Sequence, residues 1–177
     1  VNPINDPPTT SGISNVTVAE DAPDTTVDLW PSFNDVDNLD SALTYTVTGN
    51  TNAGLFTSVT VTGGQNLVLD YAPNANGSAL VTIRATDPSN LFVETTFTVT
   101  VTPVSDVPFF TSSPVTTVAE DSLYSYNITT TDPDTGDILT ITAPTLPAWL
   151  TLTDNGNGTA SLTGTPVNAN VGIHNVN

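Results

Sequence analysis

Aspartate pairs recur at matched positions in the sequence and have the spacing of metal-binding loops. Asp35 and Asp37 precede one strand pattern, and Asp132 and Asp134 precede another, so both pairs have Asp-x-Asp spacing. Alternate side chains of an extended segment point the same way, which brings both carboxylates of a pair to one side. Ca²⁺ takes six to eight oxygen ligands from flexible loops, whereas Mg²⁺ demands a stricter octahedron. The spacing therefore favours a calcium site at each pair.

The overall charge supports a bound cation. The chain carries 18 acidic residues against one Lys or Arg and one His, which gives a formal net charge of −17. Only Arg84 is available as an internal counter-charge, so clustered carboxylates would repel one another unless a divalent ion joined them. The competing interpretation is that the acids only keep the surface soluble, as in salt-adapted proteins. Repetition of the same acidic motifs at a fixed offset favours calcium.

The composition also excludes several functions. A chain whose only basic residues are Arg84 and His174 cannot build the basic patch that nucleic acid or an anionic membrane surface requires. It has no Cys and no Lys, so thiolate chemistry, Schiff bases and a P-loop are impossible. A single His leaves little room for a nucleophilic triad, and no stretch approaches the ~18 apolar residues of a membrane span. Paired carboxylates could serve a glycosidase, but these pairs lie in metal-type motifs without an aromatic cleft. We expect no enzyme, no nucleic-acid partner and no membrane insertion.

An internal repeat divides the chain. Val16–Asp21 recurs as Thr116–Asp121 at an offset of 100 residues, and the aspartate loop follows at an offset of 97. Self-similarity at a fixed period indicates tandem modules. We predict an incoming linker at 1–5, a first module at 6–104 and a second at 105–177.

Strand signals dominate both modules. Thr and Val, which are β-branched, are abundant, while 14 Pro and 11 Gly punctuate short segments of alternating polarity. These patterns predict an all-β fold of two tandem Greek-key β-sandwiches. The predicted strands of the first module are Val16–Ala19, Thr26–Leu29, Leu43–Thr48, Ser58–Thr62, Asn66–Asp70, Ala79–Ala85 and Phe92–Val101.

The second module is shorter than the first. Gly172–Asn177 aligns with Gly77–Thr82, which predicts that this segment begins a sixth strand and that the second sandwich is incomplete at its C-terminal end. We expect about 25 further residues of the same pattern to complete it in the parent protein. The alternative is a strand donated by another chain.

The combined motifs resemble cadherin repeats. Val18-Ala-Glu-Asp21, the Asp-x-Asp loop before Leu43-Thr-Tyr45, Ala85-Thr-Asp87 and a linker Asp before Pro form that pattern, closest to bacterial cadherin-like and dystroglycan-type modules. In the second module, Leu146–Leu150 and Ser161–Pro166 are similar to the immunoglobulin-type variant of that group.

This resemblance implies two groups of calcium ligands. The first group lies at the top of module one and consists of Asn5, Asp6, Asp35, Asp37 and Asp87. The second group would form the junction between the modules and consists of Glu20, Asp70, Asp106, Asp132 and Asp134. The linkers lack the full Asp-x-Asn-Asp-Asn motif of the family, so we expect one or two ions at the junction and not three.

The same resemblance implies a structural role. We expect calcium-rigidified spacer or stalk repeats of a large extracellular adhesin or cell-surface protein, with neighbouring repeats of the same chain as partners. The alternative is a carbohydrate- or protein-binding module of a secreted protein, with carbohydrate or like modules as partners. An exposed aromatic patch would favour binding, whereas Trp30 and Trp149 are expected to pack in or at the core.

Overall fold

The computed structural model describes residues 4–177 and divides the chain into two compact units. Unit 1 ends at Val104 and unit 2 spans Ser105–Asn177. Residues 1–3 of the predicted linker lie outside the described residues.

Unit 1 is built almost entirely of short strands. Its strands are β1 (Thr9–Thr10), β2 (Val16–Ala19), β3 (Thr25–Asp28), β4 (Phe33–Asn34), β5 (Thr44–Asn50), β6 (Phe56–Thr62), β7 (Asn66–Tyr71), β8 (Gly77–Thr86) and β9 (Phe92–Thr102). Single 3₁₀ turns occupy Trp30–Ser32, Asp40–Ala42 and Ala53–Leu55. The seven strands predicted from alternation are confirmed; β1 and β4 were missed because two residues are too few to show a period.

Two sheets of unit 1 pack face to face as a sandwich. One has the order β2-β9-β8-β5 and the other the order β3-β7-β6, while β1 pairs with β4. β2 runs parallel to β9, with Val16 opposite Val99, and the other pairs are antiparallel. The central hairpin β8–β9 therefore holds both outer strands of its sheet.

The core of unit 1 follows from the period-2 alternation of these strands. Apolar side chains point inward while threonines point outward, as β-branched residues on a pleated surface do. Burying each such aliphatic side chain contributes about 1.5–3 kcal/mol. The largest fully buried side chains are Leu29, Leu55, Leu67, Leu69, Val81, Ile83, Val99 and Val101.

Unit 2 contains one sheet. Its strands are β10 (Phe109–Phe110), β11 (Tyr124–Thr131), β12 (Leu150–Asp154) and β13 (Thr159–Gly164), followed by a 3₁₀ turn at Asn168–Asn170. The order is β10-β11-β13-β12, so β11, β13 and β12 reproduce the β3-β7-β6 sheet of unit 1.

The second sheet of unit 2 is not formed. Segments 116–119 and 139–142, which match β2 and β5 of unit 1, carry no strand. The reason is that β2 and β5 pair with β9 and β8, and residues 105–177 contain no counterpart of that hairpin. The uncovered inner face lines a cavity of about 1030 Å³ that includes Tyr124, Ile128 and Leu162.

The prediction that residues 172–177 begin a sixth strand of unit 2 is wrong. Residues 172–177 are irregular, and the Ile173 side chain is 97% exposed. Asn177 makes two backbone hydrogen bonds with Thr145, and the His174 ring contacts the Asn170 carbonyl and the Trp149 ring. Alternation alone does not form a strand when its hydrogen-bonding neighbour is missing.

We predict that unit 2 unfolds at a lower temperature than unit 1, because it buries a smaller apolar core. Each unit has one tryptophan packed against its core, so Trp30→Phe leaves Trp149 to report unit 2 and Trp149→Phe leaves Trp30 to report unit 1. Thermal melts followed by fluorescence should give a lower midpoint for the Trp30→Phe variant. Coincident midpoints in the two variants would contradict this expectation.

Candidate metal centre

The Asp35 side chain organises the loop that follows β4. Its Oδ1 atom accepts hydrogen bonds from the backbone N–H groups of Asp37 at 2.8 Å and Asn38 at 3.0 Å, and from Asn38 Nδ2 at 3.3 Å. This is an Asx turn, in which the aspartate side chain satisfies the backbone two residues ahead. The residue is only 7% exposed, so the turn holds a charged group inside the protein.

The second carboxylate oxygen of Asp35 has no hydrogen-bond donor among the described residues. Asp35 Oδ2 is buried and accepts no hydrogen bond from any residue that the structure describes. A buried charged oxygen without a partner costs far more than a satisfied one, so such atoms are rare outside ion and functional sites. The chemistry of this atom fits a cation ligand.

Asp87 directly follows β8 and is also buried. Its Oδ1 atom accepts the N–H groups of Ser89 and Leu91, each at 2.8 Å, and its Oδ2 atom accepts Asn5 Nδ2 at 2.6 Å. Burial by itself raises the pKa of this carboxyl, but the hydrogen bonds from Asn5 and from the backbone outweigh burial and lower the pKa below its ordinary value. Asp87 is therefore held as a carboxylate.

The incoming segment at residues 5–6 ties these two loops together. The Asn5 amide donates to Asp87 and accepts from Asn38 Nδ2 at 3.5 Å, while the Asp6 N–H donates to Asp37 Oδ2 at 2.8 Å. The five residues predicted for the top of module one therefore lie in one hydrogen-bonded group. Asn38 joins them and was not predicted, although its position directly after the Asp-x-Asp pair is a usable signal.

Unit 2 repeats part of this geometry. The Asp134 N–H donates to Asp132 Oδ1 at 3.0 Å, and the Asp106 N–H donates to Asp134 Oδ2 at 2.6 Å. These bonds match Asp37 to Asp35 and Asp6 to Asp37 in unit 1. Asp132, Asp134 and Asp137 each offer a carboxylate oxygen, and these oxygens lie within 4.8 Å of one another.

The two loops differ in how close their carboxylate oxygens lie to one another. Over the described part of unit 1, no three acidic residues bring carboxylate oxygens within 4.8 Å of one another. There the Asn5 amide links Asp87 to the Asp35 loop. The acids of the unit 2 loop lie closer together, but Asp132 and Asp134 are only partly buried and Asp137 is exposed. Both sets consist of oxygen donors, which is the donor type that Ca²⁺ requires.

Glu20 lies at the end of β2 and is 5% exposed. Its Oε1 atom accepts the Val104 N–H, and its Oε2 atom accepts Asn76 Nδ2 at 3.3 Å. Asn76 was missed by sequence reasoning because it lies in an ordinary-looking turn before β8.

Asp70 lies in the β3-β7-β6 sheet of unit 1 and is partly buried. It is on β7 opposite Ser58, on the face that alternates with buried Leu69 and Tyr71. No close group of three acidic oxygens among the described residues includes Asp70. The predicted junction set of Glu20, Asp70, Asp106, Asp132 and Asp134 draws on both units and stays a prediction.

The sandwich of unit 1 and the matching sheet of unit 2 define tandem all-β modules of the immunoglobulin-like type. Residues 5–102 match the family model described as "Bacterial Ig domain", and residues 107–177 match the one described as "Putative Ig domain". The chain belongs to the bacterial Ig domain family, and the resemblance to tandem bacterial cadherin-like and Ig-like modules is confirmed.

Solved structures of larger proteins contain similar folds. An endo-fucoidan hydrolase from glycoside hydrolase family 107 is 25% identical over 97% of this chain and 26% of its own, with a TM-score of 0.46. Protocadherin gamma B2 extracellular cadherin domains 1–5 are 22% identical over 93% and 33%, with a TM-score of 0.49. The human desmocollin-1 ectodomain is 18% identical over 92% and 34%, with a TM-score of 0.41.

The chain thus spans about a quarter to a third of these structures. No curated protein sequence matches it. Within residues 4–177, no helix is long and apolar enough to cross a membrane.

We predict opposite effects of Asp35→Asn with and without calcium. The amide keeps an acceptor for the Asn38 and Asp37 N–H groups but removes the buried charge at Oδ2, so the calcium-free variant should be at least as stable as the wild type. With calcium, the variant should lose its stabilisation, by roughly 1–3 kcal/mol in the free energy of unfolding.

The matched control is Asp24→Asn, which changes an exposed aspartate of the same unit. Asp24→Asn should not measurably change the free energy of unfolding, either with calcium or without it. Denaturant titrations in calcium and in chelator measure this free energy for the wild type and both variants. A variant that responds to calcium as strongly as the wild type would contradict the assignment of Asp35.

Proposed function

We propose that the two units are calcium-stiffened spacer modules of a large extracellular or cell-surface protein. The observation that carries this proposal is the buried, unpartnered Oδ2 atom of Asp35, whose other oxygen, Oδ1, already accepts two backbone N–H groups. An acidic loop that served only solubility would expose its carboxylates, since hydration is what keeps them charged at low cost.

The repetition of the loop supports a modular role. Unit 2 places Asp132, Asp134 and the Asp106 backbone in the same hydrogen-bonding pattern that Asp35, Asp37 and the Asp6 backbone form in unit 1. A pattern built twice, each time where a linker enters a sandwich, is suited to joining one module to the next.

The junction ion is part of this proposal. Within unit 1 the Val104 N–H binds Glu20, and within unit 2 the Asp106 N–H binds Asp134. Only Ser105 separates these two linker residues in sequence, so we place Glu20, Asp106, Asp132 and Asp134 around a shared calcium ion. Asp70 is proposed as an additional ligand of this ion, and Asn76 is hydrogen-bonded to Glu20.

A bound calcium ion would supply the positive charge that the protein itself lacks. The chain's own residues position the site. Asx turns fix the loops, and Asn5 and Asp6 attach the incoming segment. Asp87 stays ionised because Asn5 and backbone N–H groups favour its charged form. A linker fastened on both sides bends less than a free one, so calcium should make the array stiff.

An extracellular location agrees with the calcium affinity expected of such a site. Oxygen-ligand sites in extracellular modules bind calcium with dissociation constants of about 10⁻⁴–10⁻³ M, which suits the calcium concentration outside cells. The bacterial Ig family match and the cadherin-like fold are consistent with that setting. The partners that this role requires are neighbouring repeats of the same chain.

We predict that calcium raises the stability of the whole chain and extends it. At a concentration of 100 Kd, binding to the folded state adds about 2.7 kcal/mol, which corresponds to several degrees in melting temperature. Thermal melts and small-angle X-ray scattering with calcium or chelator measure both effects.

Sodium chloride at matched ionic strength is the control, since it screens charges without filling a site. If salt reproduces the full effect of calcium, the acids act only as surface charge. Melting temperatures and solution dimensions that are equal with calcium and chelator would contradict the proposed function.

A further inference from the structure

The outward face of β5, β8 and β9 in unit 1 is nearly free of acids, although the chain carries a net charge of −17. Its side chains alternate with the buried core residues of those strands. We call this surface the threonine face; its members are Thr44, Thr46, Thr48, Ser78, Leu80, Thr82, Arg84, Thr86, Phe92, Glu94, Thr96, Thr98, Thr100 and Thr102. One Glu and one Arg make it net neutral.

The only Arg of the chain is fixed in the middle of this face. Its Nε and Nη2 atoms lie 3.1 and 3.0 Å from Glu94 Oε1, which also accepts Thr48 Oγ1 at 2.8 Å. The guanidinium carbon lies 4.1 Å above the centre of the Phe92 ring. A planar guanidinium held by both a carboxylate and a ring is pre-organised, so little side-chain entropy is left to lose on binding.

Arg84, Glu94 and Phe92 keep hydrogen-bonding atoms and ring surface open to solvent. All three bonds go to Oε1, and no residue described in the structure donates to Glu94 Oε2. The Arg84 and Glu94 side chains are each 38% exposed, and Phe92 is 50% exposed. The face therefore offers a free acceptor, guanidinium donors and a partly open aromatic ring within one patch.

We propose that the threonine face is a binding site for a neutral polysaccharide, centred on Phe92, Arg84 and Glu94. A sugar hydroxyl both donates and accepts, so it can use the free carboxylate oxygen and the guanidinium together. The apolar face of a sugar ring packs on an aromatic side chain. The threonine hydroxyls of β9 from Thr96 to Thr102 recur about every 6.6–6.8 Å and offer further hydrogen bonds to an extended glycan.

Charge selects the class of glycan. A strongly acidic chain repels polyanions over a distance set by salt, and Arg84 is already neutralised by Glu94. Anionic polysaccharides are therefore disfavoured, whereas a neutral polysaccharide meets no electrostatic repulsion at a neutral patch. Thr86 and Phe92 border the Asp87 loop, but no residue of the threonine face is a candidate calcium ligand, so this proposal does not rest on the proposed calcium function.

Affinity electrophoresis of the full chain tests the proposal. The gels contain mixed-linkage β-glucan, xylan, galactomannan or dextran as neutral probes, and alginate or a sulfated fucan as anionic probes. We expect retardation by at least one neutral probe, in calcium and in chelator alike. Phe92→Ala and Glu94→Gln should each weaken that binding about fivefold or more.

Phe109→Ala is the matched control, because Phe109 is a similarly exposed phenylalanine in unit 2. It should bind like the wild type, and melting curves confirm that each variant is folded. The proposal is overturned if no neutral probe retards the wild type, if only anionic probes do, or if both site variants bind as the wild type does.

Discussion

The absence of internal counter-charge is the constraint on which the rest of the structure depends. Three acidic residues, Glu20, Asp35 and Asp87, are buried, while the one arginine is committed to Glu94 on an outer sheet face. Glu20 and Asp87 are compensated by amide and backbone donors, but Asp35 Oδ2 is not. Since an ion in the protein interior must be paired or solvated, this oxygen defines where a cation would contribute most.

The sandwich positions these carboxylates through the ends of its strands. Asp87 directly follows β8, Glu20 directly follows β2, and Asp35 directly follows β4, so each acid is held by a framework whose apolar side chains are fully buried. Threonines cover much of the outer faces, where they tolerate exposure and favour extended backbone. The design separates a rigid apolar interior from loops that carry the chemistry.

The sequence predicted the fold well where patterns are local. Alternation in β2, β7 and β9 identified those strands because each has hydrogen-bonding neighbours within its own unit. The Asp-x-Asp loop was also visible, since Asx-turn chemistry needs only adjacent residues. In contrast, the alternating segment 172–177 forms no strand, because strand formation depends on a partner that alternation cannot reveal. Asn38 and Asn76 were missed for a related reason: amides become ligands or partners only through the tertiary position of Asp35 and Glu20.

A crystal structure of the calcium-loaded chain, with anomalous scattering data, tests the central claim most directly. The account predicts a calcium peak bonded to Asp35 Oδ2 at about 2.3–2.6 Å, with further oxygens from the Asp37, Asp87 and Asn5 group completing the shell. Crystals grown in saturating calcium with Asp35 Oδ2 still buried and no ion bonded to it would contradict the account.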